Sequence, residues 1–229
     1  MPRRARQAVG GLIYHVLNRA VGRMTMFRKP ADYLAFLDVL CQAHERLPVP
    51  LLAFCVMPNH WHLVLRPERD GELSDFMFWL TMTHTQRWRH ARRLVGLGPL
   101  YQGRFKAFPI QDDNHLLTVL RYVERNPLRA GLVPRAQDWD YGSLQVRSNG
   151  ASSSVQALLA RWPVPMRRDW SDWVNRPQTA AEEQAVRTSI ARNRPFGDAA
   201  WQGAMARQLG LESSLRPKGR PRKPAPAPS

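Results

Sequence analysis

Two histidines set two residues apart, His60 and His62 in "MPNHWHLVLRP" (57–67), have a type and spacing that suggest chemistry. On a β-strand, side chains at i and i+2 share a face, so the two imidazoles project together and Trp61 points the other way. A second pair lies in "DDNHLLTVLRYVERNPLRAGLV", where Tyr122 and Asn126 are four apart, about one helical turn. At helical spacing His115, Thr118, Tyr122, Arg125, Asn126 and Arg129 fall within a stripe about 100° wide, polar and cationic, while Leu116, Leu120 and Val123 form a face to pack on a sheet. Two imidazoles and one carboxamide oxygen leave a coordination sphere open to phosphate oxygens and water. That suits Mg²⁺ or Mn²⁺ acting as a Lewis acid on a phosphodiester. A tyrosine beside it can attack phosphorus and hold the strand as a covalent phosphotyrosine, conserving the bond energy for rejoining. Neither pair carries this alone: an H-x-H pair also serves as strand histidines bonded to backbone carbonyls, and tyrosine rings bury well in cores.

Positioning these residues needs a scaffold, and hydropathy patterning supplies one. Strands are expected over 11–18, 50–57, 60–66 and 99–110, and helices over 30–47, 72–94 and 112–127. Pro30 suits a helix start, and Pro58-Asn59 is a turn signal. Pro127 disfavours α geometry at Asn126, so the last helix is expected to kink or end there. The order β-α-β-β-α-β matches a ferredoxin-like α+β core, an antiparallel sheet with its helices on one face, to which the Tyr122 helix is an addition. Composition shifts after about residue 145. "RSNGASSS" (147–154) reads as a linker, followed by short helical candidates at 155–161, 179–193 and 198–210. The expected division is therefore a core over 1–145, a smaller helical extension over 146–215, and a basic tail over 216–229 that cannot fold alone.

Lys and Arg outnumber Asp and Glu by 34 to 18 in 229 residues, a net charge of +16, which points to a polyanionic partner, nucleic acid before an anionic membrane. No apolar run reaches the ~18 residues that span a bilayer. The basic start imitates a signal peptide, but His15, Asn18 and Arg19 interrupt its apolar portion. The two cysteines, Cys41 and Cys55, sit in apolar segments and read as buried thiols of a reducing compartment, which excludes a cysteine-built zinc site. A cytoplasmic protein facing nucleic acid is expected.

"MPNHWHLVL" resembles the HUH motif (His, bulky hydrophobe, His) of single-strand DNA nucleases and transposases. "RYVERNPLRAGLV" resembles the tyrosine helix of the REP-associated tyrosine transposases of bacteria, as do "YHVLNRA", "YQGRFKAFPI" and "RPFGDAAW…LGLESSLRPKGRPRK". The resemblance implies a metal-dependent single-strand DNA endonuclease and strand transferase acting at short palindromic hairpin repeats. It implies Tyr122 as the nucleophile, and His60, His62 and Asn126 as ligands of Mg²⁺ or Mn²⁺; related transposases carry Gln in the last role. It makes residues 1–145 the catalytic domain, 146–215 a DNA-binding extension, and the location the bacterial nucleoid. A monomer is favoured over the dimers formed by relatives with swapped tyrosine helices.

Phosphate contacts are expected from Arg87, Arg89, Arg92 and Arg93 at the end of the second helix, from Arg104 and Lys106, from Arg125 and Arg129, and from Lys218, Arg220 and Arg222 in the AT-hook-like tail. His15 stands between an active-site neighbour and a core histidine. Among the other tyrosines, Tyr14 and Tyr33 look structural and Tyr101, beside "QGRFK", looks DNA-facing. The main rival function is a hairpin-binding regulator of the same fold without turnover. An RNA-binding module stacking bases on Phe105 and Phe108 would leave the H-x-H pair unexplained.

Overall fold

The computed structural model describes residues 8–96, 98–149 and 154–216. Four strands, β1 (Ile13–Arg19), β2 (Leu51–Met57), β3 (His60–Leu65) and β4 (Lys106–Ile110), form one sheet in the order β2-β3-β1-β4, every neighbouring pair antiparallel. With α1 (Pro30–Arg46) between β1 and β2, and α2 (Glu72–Ala91) between β3 and β4, this is the expected ferredoxin-like topology. Local chemistry fixes the helix starts. Pro30 opens α1, where Asp32 accepts from the backbone N–H of Arg28 at 2.9 Å. Asp113 caps α3 (Asn114–Glu124) by accepting from the His115 N–H at 2.7 Å.

The two faces of the sheet bury different cores. Trp61, Leu63 and Leu65 of β3 join Tyr14 and Val16 of β1 beneath α1 and α2, packed on Phe36, Leu40, Phe76 and Leu80. Val64 of β3, Cys55 of β2 and Phe108 of β4 point the other way, against Leu116, Leu120 and Val123 of α3. The alternation therefore puts His60 and His62 on the α3 face and Trp61 on the opposite one, as the spacing predicts.

Beyond residue 145 the chain stays on this scaffold. α5 (Ser143–Asn149) and α6 (Ser154–Leu158) lie near β2, and Leu159 and Gly142 make single bridges to that strand. α7 (Trp170–Asn175) and α8 (Ala180–Arg192) contribute Trp170, Val174 and Val186 to the α3 core. Phe196 bridges Ile110, its N–H donating to the Pro109 carbonyl at 2.9 Å. Both sheet edges are thus covered, which removes unpaired strand backbone. α9 (Ala199–Gln208) and α10 (Glu212–Leu215) follow.

Three expectations change. The stretch read as a linker begins inside α5, which includes Arg147, Ser148 and Asn149; residues 150–153 lie outside the described residues, as does the tail from 217. α7 had no visible signal. The fourth strand begins at Lys106 rather than 99, because Tyr101 turns inward: its residue is 6% exposed and the Trp61 indole N–H donates to its hydroxyl at 3.1 Å. The expected DNA-facing Tyr101 is a core residue. Among the described residues no helix is long and apolar enough to cross a membrane.

An indole N–H only donates, so the Tyr101 hydroxyl accepts from Trp61 and donates its own O–H to Nδ1 of His84, 2.6 Å away. That nitrogen must stay bare, and burial, with Arg92 adding to it, pushes the His84 pKa down to about 3. The folded value lies below the unfolded 6.5, so the neutral ring contributes stability that is present above pH 6.5 and lost as pH falls toward 3. Urea midpoints are expected to drop below pH 6.5, with His84 contributing up to about 1.4 kcal/mol per pH unit. His84→Gln, which keeps an acceptor that cannot titrate, is expected to reduce that slope. An unchanged slope would show that His84 does not carry it.

Candidate active site

β3 delivers both histidines at its start. In the antiparallel register His60 sits opposite Arg19 of β1 and Met57 of β2, and His62 opposite Leu17 and Cys55. The His60 and His62 rings are 5.0 Å apart with planes at 79°. Each has its Nδ1 engaged, His60 with Asn59 Oδ1 at 2.7 Å and His62 with His15 Nε2 at 2.8 Å. In both rings Nε2 is the nitrogen left for another partner. Both are held neutral: burial, with the charges of Arg19 and Arg129 adding to it, lowers the His60 pKa to about 3. Burial, with neighbouring His60 and His15 adding to it, takes His62 well below 6.5. Neutral imidazoles with Nδ1 tied are what metal coordination through Nε2 requires.

Tyr122 comes to this pair from above. Its ring lies 6.2 Å from His62 and 6.5 Å from His15, edge-on to both, and the residue is 5% exposed. Sorting the five tyrosines by face isolates it: Tyr14, Tyr33, Tyr101 and Tyr141 all pack in or against the opposite core. Asn126 follows one turn on. α3 ends at Glu124 and α4 (Asn126–Arg129) begins after Arg125, whose φ −78° and ψ −9° remain right-handed helical. The predicted break at Pro127 is therefore a short interruption, and Asn126 stays buried at 4% exposure. Its Oδ1 accepts from Arg129 Nη2 at 2.8 Å, while its Nδ2 is buried without a partner. The Arg129 guanidinium also stacks on the Tyr122 ring, 4.1 Å from its centroid.

These residues fit a divalent cation in donor type: two neutral imidazoles and one amide oxygen. Among the described residues no group of three or more His, Cys, Asp or Glu gathers that could hold a metal, so the third protein donor here would have to be Asn126. With no carboxylate in the set, and with Arg19 and Arg129 close enough to depress His60, the surroundings are electropositive. An anionic phosphate would supply the negative charge such a site lacks.

The predicted polar stripe on α3 divides in the structure. Tyr122 faces the histidines, whereas Arg125 turns away and donates from Nη1 to the carbonyls of Val174 at 3.0 Å and Asn175 at 2.6 Å. Arg121 similarly reaches the Arg176 carbonyl at 2.8 Å. Glu124, fully buried with its pKa raised by that burial, accepts from Ser143 Oγ at 2.6 Å and from the Trp170 indole at 2.7 Å. Arg125 is thus a clamp between α3 and α7, and Glu124 ties α3 to α5 and α7. Together they fix the helix that carries Tyr122.

Arg87, Arg89, Arg92 and Arg93 lie at the C-terminal end of α2, on the face opposite the histidines. Arg87 pairs with Asp38 at 3.1 Å, Arg92 pairs with Asp32 at 2.8 Å and stacks on Trp88, and Arg93 has a φ of 55° just past the helix. Arg104 is exposed on a loop pinned beside the site, since Gln102 N–H donates to the Arg19 carbonyl at 2.9 Å and Asn18 Nδ2 to the Gly103 carbonyl at 3.2 Å, and Lys106 is exposed at the start of β4, opposite Leu17 of β1. Lys218, Arg220 and Arg222 lie outside the described residues. Sequence reasoning missed two contributors. Arg19 shares the parity of His15 on β1, a signal that was available. Asn59 orients His60, which no local pattern reveals.

A family model described as transposase IS200 like matches residues 8–126. A REP-associated tyrosine transposase of Haemophilus influenzae is 29% identical over 121 residues, 49% of this chain and 69% of that relative. One of Escherichia coli K12 is 26% identical over 101 residues, 42% of this chain and 54% of that relative. A solved structure of a REP-associated tyrosine transposase bound to a REP hairpin superimposes with a TM-score of 0.54 at 18% identity, covering 79% of this chain and 100% of the other, a likeness of fold.

Proposed function

The chain belongs to the IS200-like transposase family and resembles its REP-associated tyrosine transposases, and from that premise we propose that it cuts and rejoins single-stranded DNA at short palindromic hairpins. The carrying observation is that Tyr122, alone of five tyrosines, lies on the histidine face with its ring 6.2 Å from His62. In the proposed step the Tyr122 oxygen bonds to phosphorus and loses its proton. The bond from phosphorus to one bridging sugar oxygen breaks, and that oxygen leaves as a hydroxyl once protonated. The strand remains attached to Tyr122 as a phosphodiester, ready for attack by another hydroxyl.

His60, His62 and Asn126 would hold Mg²⁺ or Mn²⁺, which when bound supplies Lewis-acid polarisation of the scissile phosphate. Arg129 orients the Tyr122 ring and puts positive charge where a phosphate must come. Arg19, Arg104 and Lys106 extend that charge along the same end of the sheet and are the favoured phosphate contacts, with the tail's Lys218, Arg220 and Arg222 adding further ones. A monomer is the proposed working unit. Such a protein would work at the nucleoid, in the cytoplasm.

One observation favours the rival, a hairpin-binding regulator without turnover: the Asn126 oxygen already accepts from Arg129. The two readings separate on a denaturing gel. A labelled single-stranded oligonucleotide carrying a hairpin, incubated with the protein and Mg²⁺, is expected to give a covalent protein–DNA band whose peptide maps to Tyr122. Tight binding without any covalent band would establish the regulator instead.

A further inference from the structure

His15 is fully buried on β1, outside the residues proposed to touch metal or DNA, and the mechanism so far gives it no work. Its Nε2 lies 2.8 Å from His62 Nδ1 with the two rings inclined by only 16°. That approach is too short for stacked ring faces, so it is an in-plane hydrogen bond between two imidazoles. A hydrogen bond between two ring nitrogens needs one N–H and one bare nitrogen. One proton is therefore shared along this line, and it can sit on either side.

If the proton is on His15 Nε2, His62 accepts at Nδ1 and carries its own proton on Nε2, which then has no lone pair to offer. If the proton is on His62 Nδ1, its Nε2 is bare, and His15 must carry its remaining proton on Nδ1. That His15 Nδ1 is buried with no hydrogen-bond partner, so the second arrangement leaves a buried N–H unsatisfied. His60 faces no such choice. Asn59 Nδ2 donates to the Arg23 carbonyl at 3.2 Å, which turns its oxygen toward His60, and an amide oxygen can only accept.

We infer that His15 is a positioning residue for His62: when a divalent cation claims His62 Nε2, His15 accepts the Nδ1 proton and holds the ligating tautomer. The inference rests on the metal reading proposed above. It makes the two ligands unequal, with His60 set in advance by Asn59 and His62 set only at the expense of an orphaned donor on His15. Ligand imidazoles commonly depend on such an acceptor, whose loss lowers metal affinity roughly 10–100-fold.

The test uses the full-length protein and Mn²⁺ itself, titrated by electron paramagnetic resonance. His15→Phe, which keeps a ring but offers no acceptor, is expected to weaken Mn²⁺ binding roughly 10–100-fold. His15→Gln, whose amide oxygen can accept from His62, is expected to recover most of it. Equal affinity in wild type and His15→Phe overturns the inference. So does a loss that His15→Gln fails to rescue, which would assign the effect to packing. A wild-type chain that binds no Mn²⁺ would sink the metal reading and the inference with it. Should the Phe variant not fold, nitrogen-15 spectra of wild type with Mg²⁺ decide alone. Protons on Nδ1 of both His62 and His15 are expected, and a proton on His62 Nε2 in the loaded protein overturns the assignment.

Discussion

Tyr122→Phe is expected to abolish covalent attachment to DNA while leaving the fold and hairpin binding intact. The substitution removes one oxygen and no ring atoms. The edge-on contacts with His15 and His62, the Arg129 stack and the burial against the sheet all involve the ring and survive. Stability should therefore change by less than about 1 kcal/mol. Cleavage should not survive, because removing a nucleophile typically costs on the order of 10⁴–10⁶-fold in rate. The competing tyrosines cannot substitute: Tyr14, Tyr33, Tyr101 and Tyr141 lie on the far side of the sheet, and Tyr101 and Tyr14 have their hydroxyls committed to His84 and to the Val9 carbonyl. The measurement is a pair of gels, one denaturing for the covalent species and one native for the complex. A covalent band persisting in the Phe variant would identify another nucleophile and dissolve the proposed site.

Strand parity made half of this site readable. A period of two has one outcome, and His60 and His62 fall on one face with Trp61 on the other as the alternation requires. The helix was harder. Helical spacing gives the angles between Tyr122, Arg125 and Arg129 but not which angle meets the sheet. The stripe read as one polar and cationic face, yet Tyr122 is buried against the histidines while Arg121 and Arg125 reach backbone carbonyls of 174–177. Those carbonyls belong to α7 and the residues after it, in a stretch where no periodicity announced a helix, so long-range contacts decided the orientation. Asn59 and His15 were illegible as positioning groups for a related reason: each acts through one nitrogen of a neighbouring ring, and sequence does not encode ring rotation. The aromatic and basic stretch 99–105 misled in the other direction. A pattern compatible with a strand gave way because the Tyr101 hydroxyl has two buried partners beneath the sheet.

Removal of the metal, or of either histidine that would hold it, is expected to stop cleavage without releasing the hairpin. His60→Ala is the cleaner variant. His60 is partly exposed at the start of β3, so its loss deletes a ligand with little disturbance of the core, whereas His62 is 3% exposed and His62→Ala also leaves a cavity that lowers stability. Both should lose cleavage by on the order of 10³-fold or more, and excess EDTA should do the same to the unaltered chain, because the cation would be the Lewis acid acting on the scissile phosphate and the arginines add charge without replacing it. Asn126→Ala should be milder, roughly 10–100-fold: water can replace one amide oxygen, and the Arg129 guanidinium freed from it keeps its stack on Tyr122. Hairpin affinity should hold throughout, since Arg104 sits on a loop pinned by backbone and Asn18 contacts, and Lys106 at the start of β4 pairs with Leu17, none of which these changes touch. Cleavage that continues undiminished in chelator would show that these imidazoles serve the phosphate directly and not through a cation. The pH dependence would then become diagnostic. His60, held near pKa 3 with its one proton bonded to Asn59 Oδ1, would have to protonate before it could donate to phosphate, so direct service would make cleavage rise as pH falls toward 3.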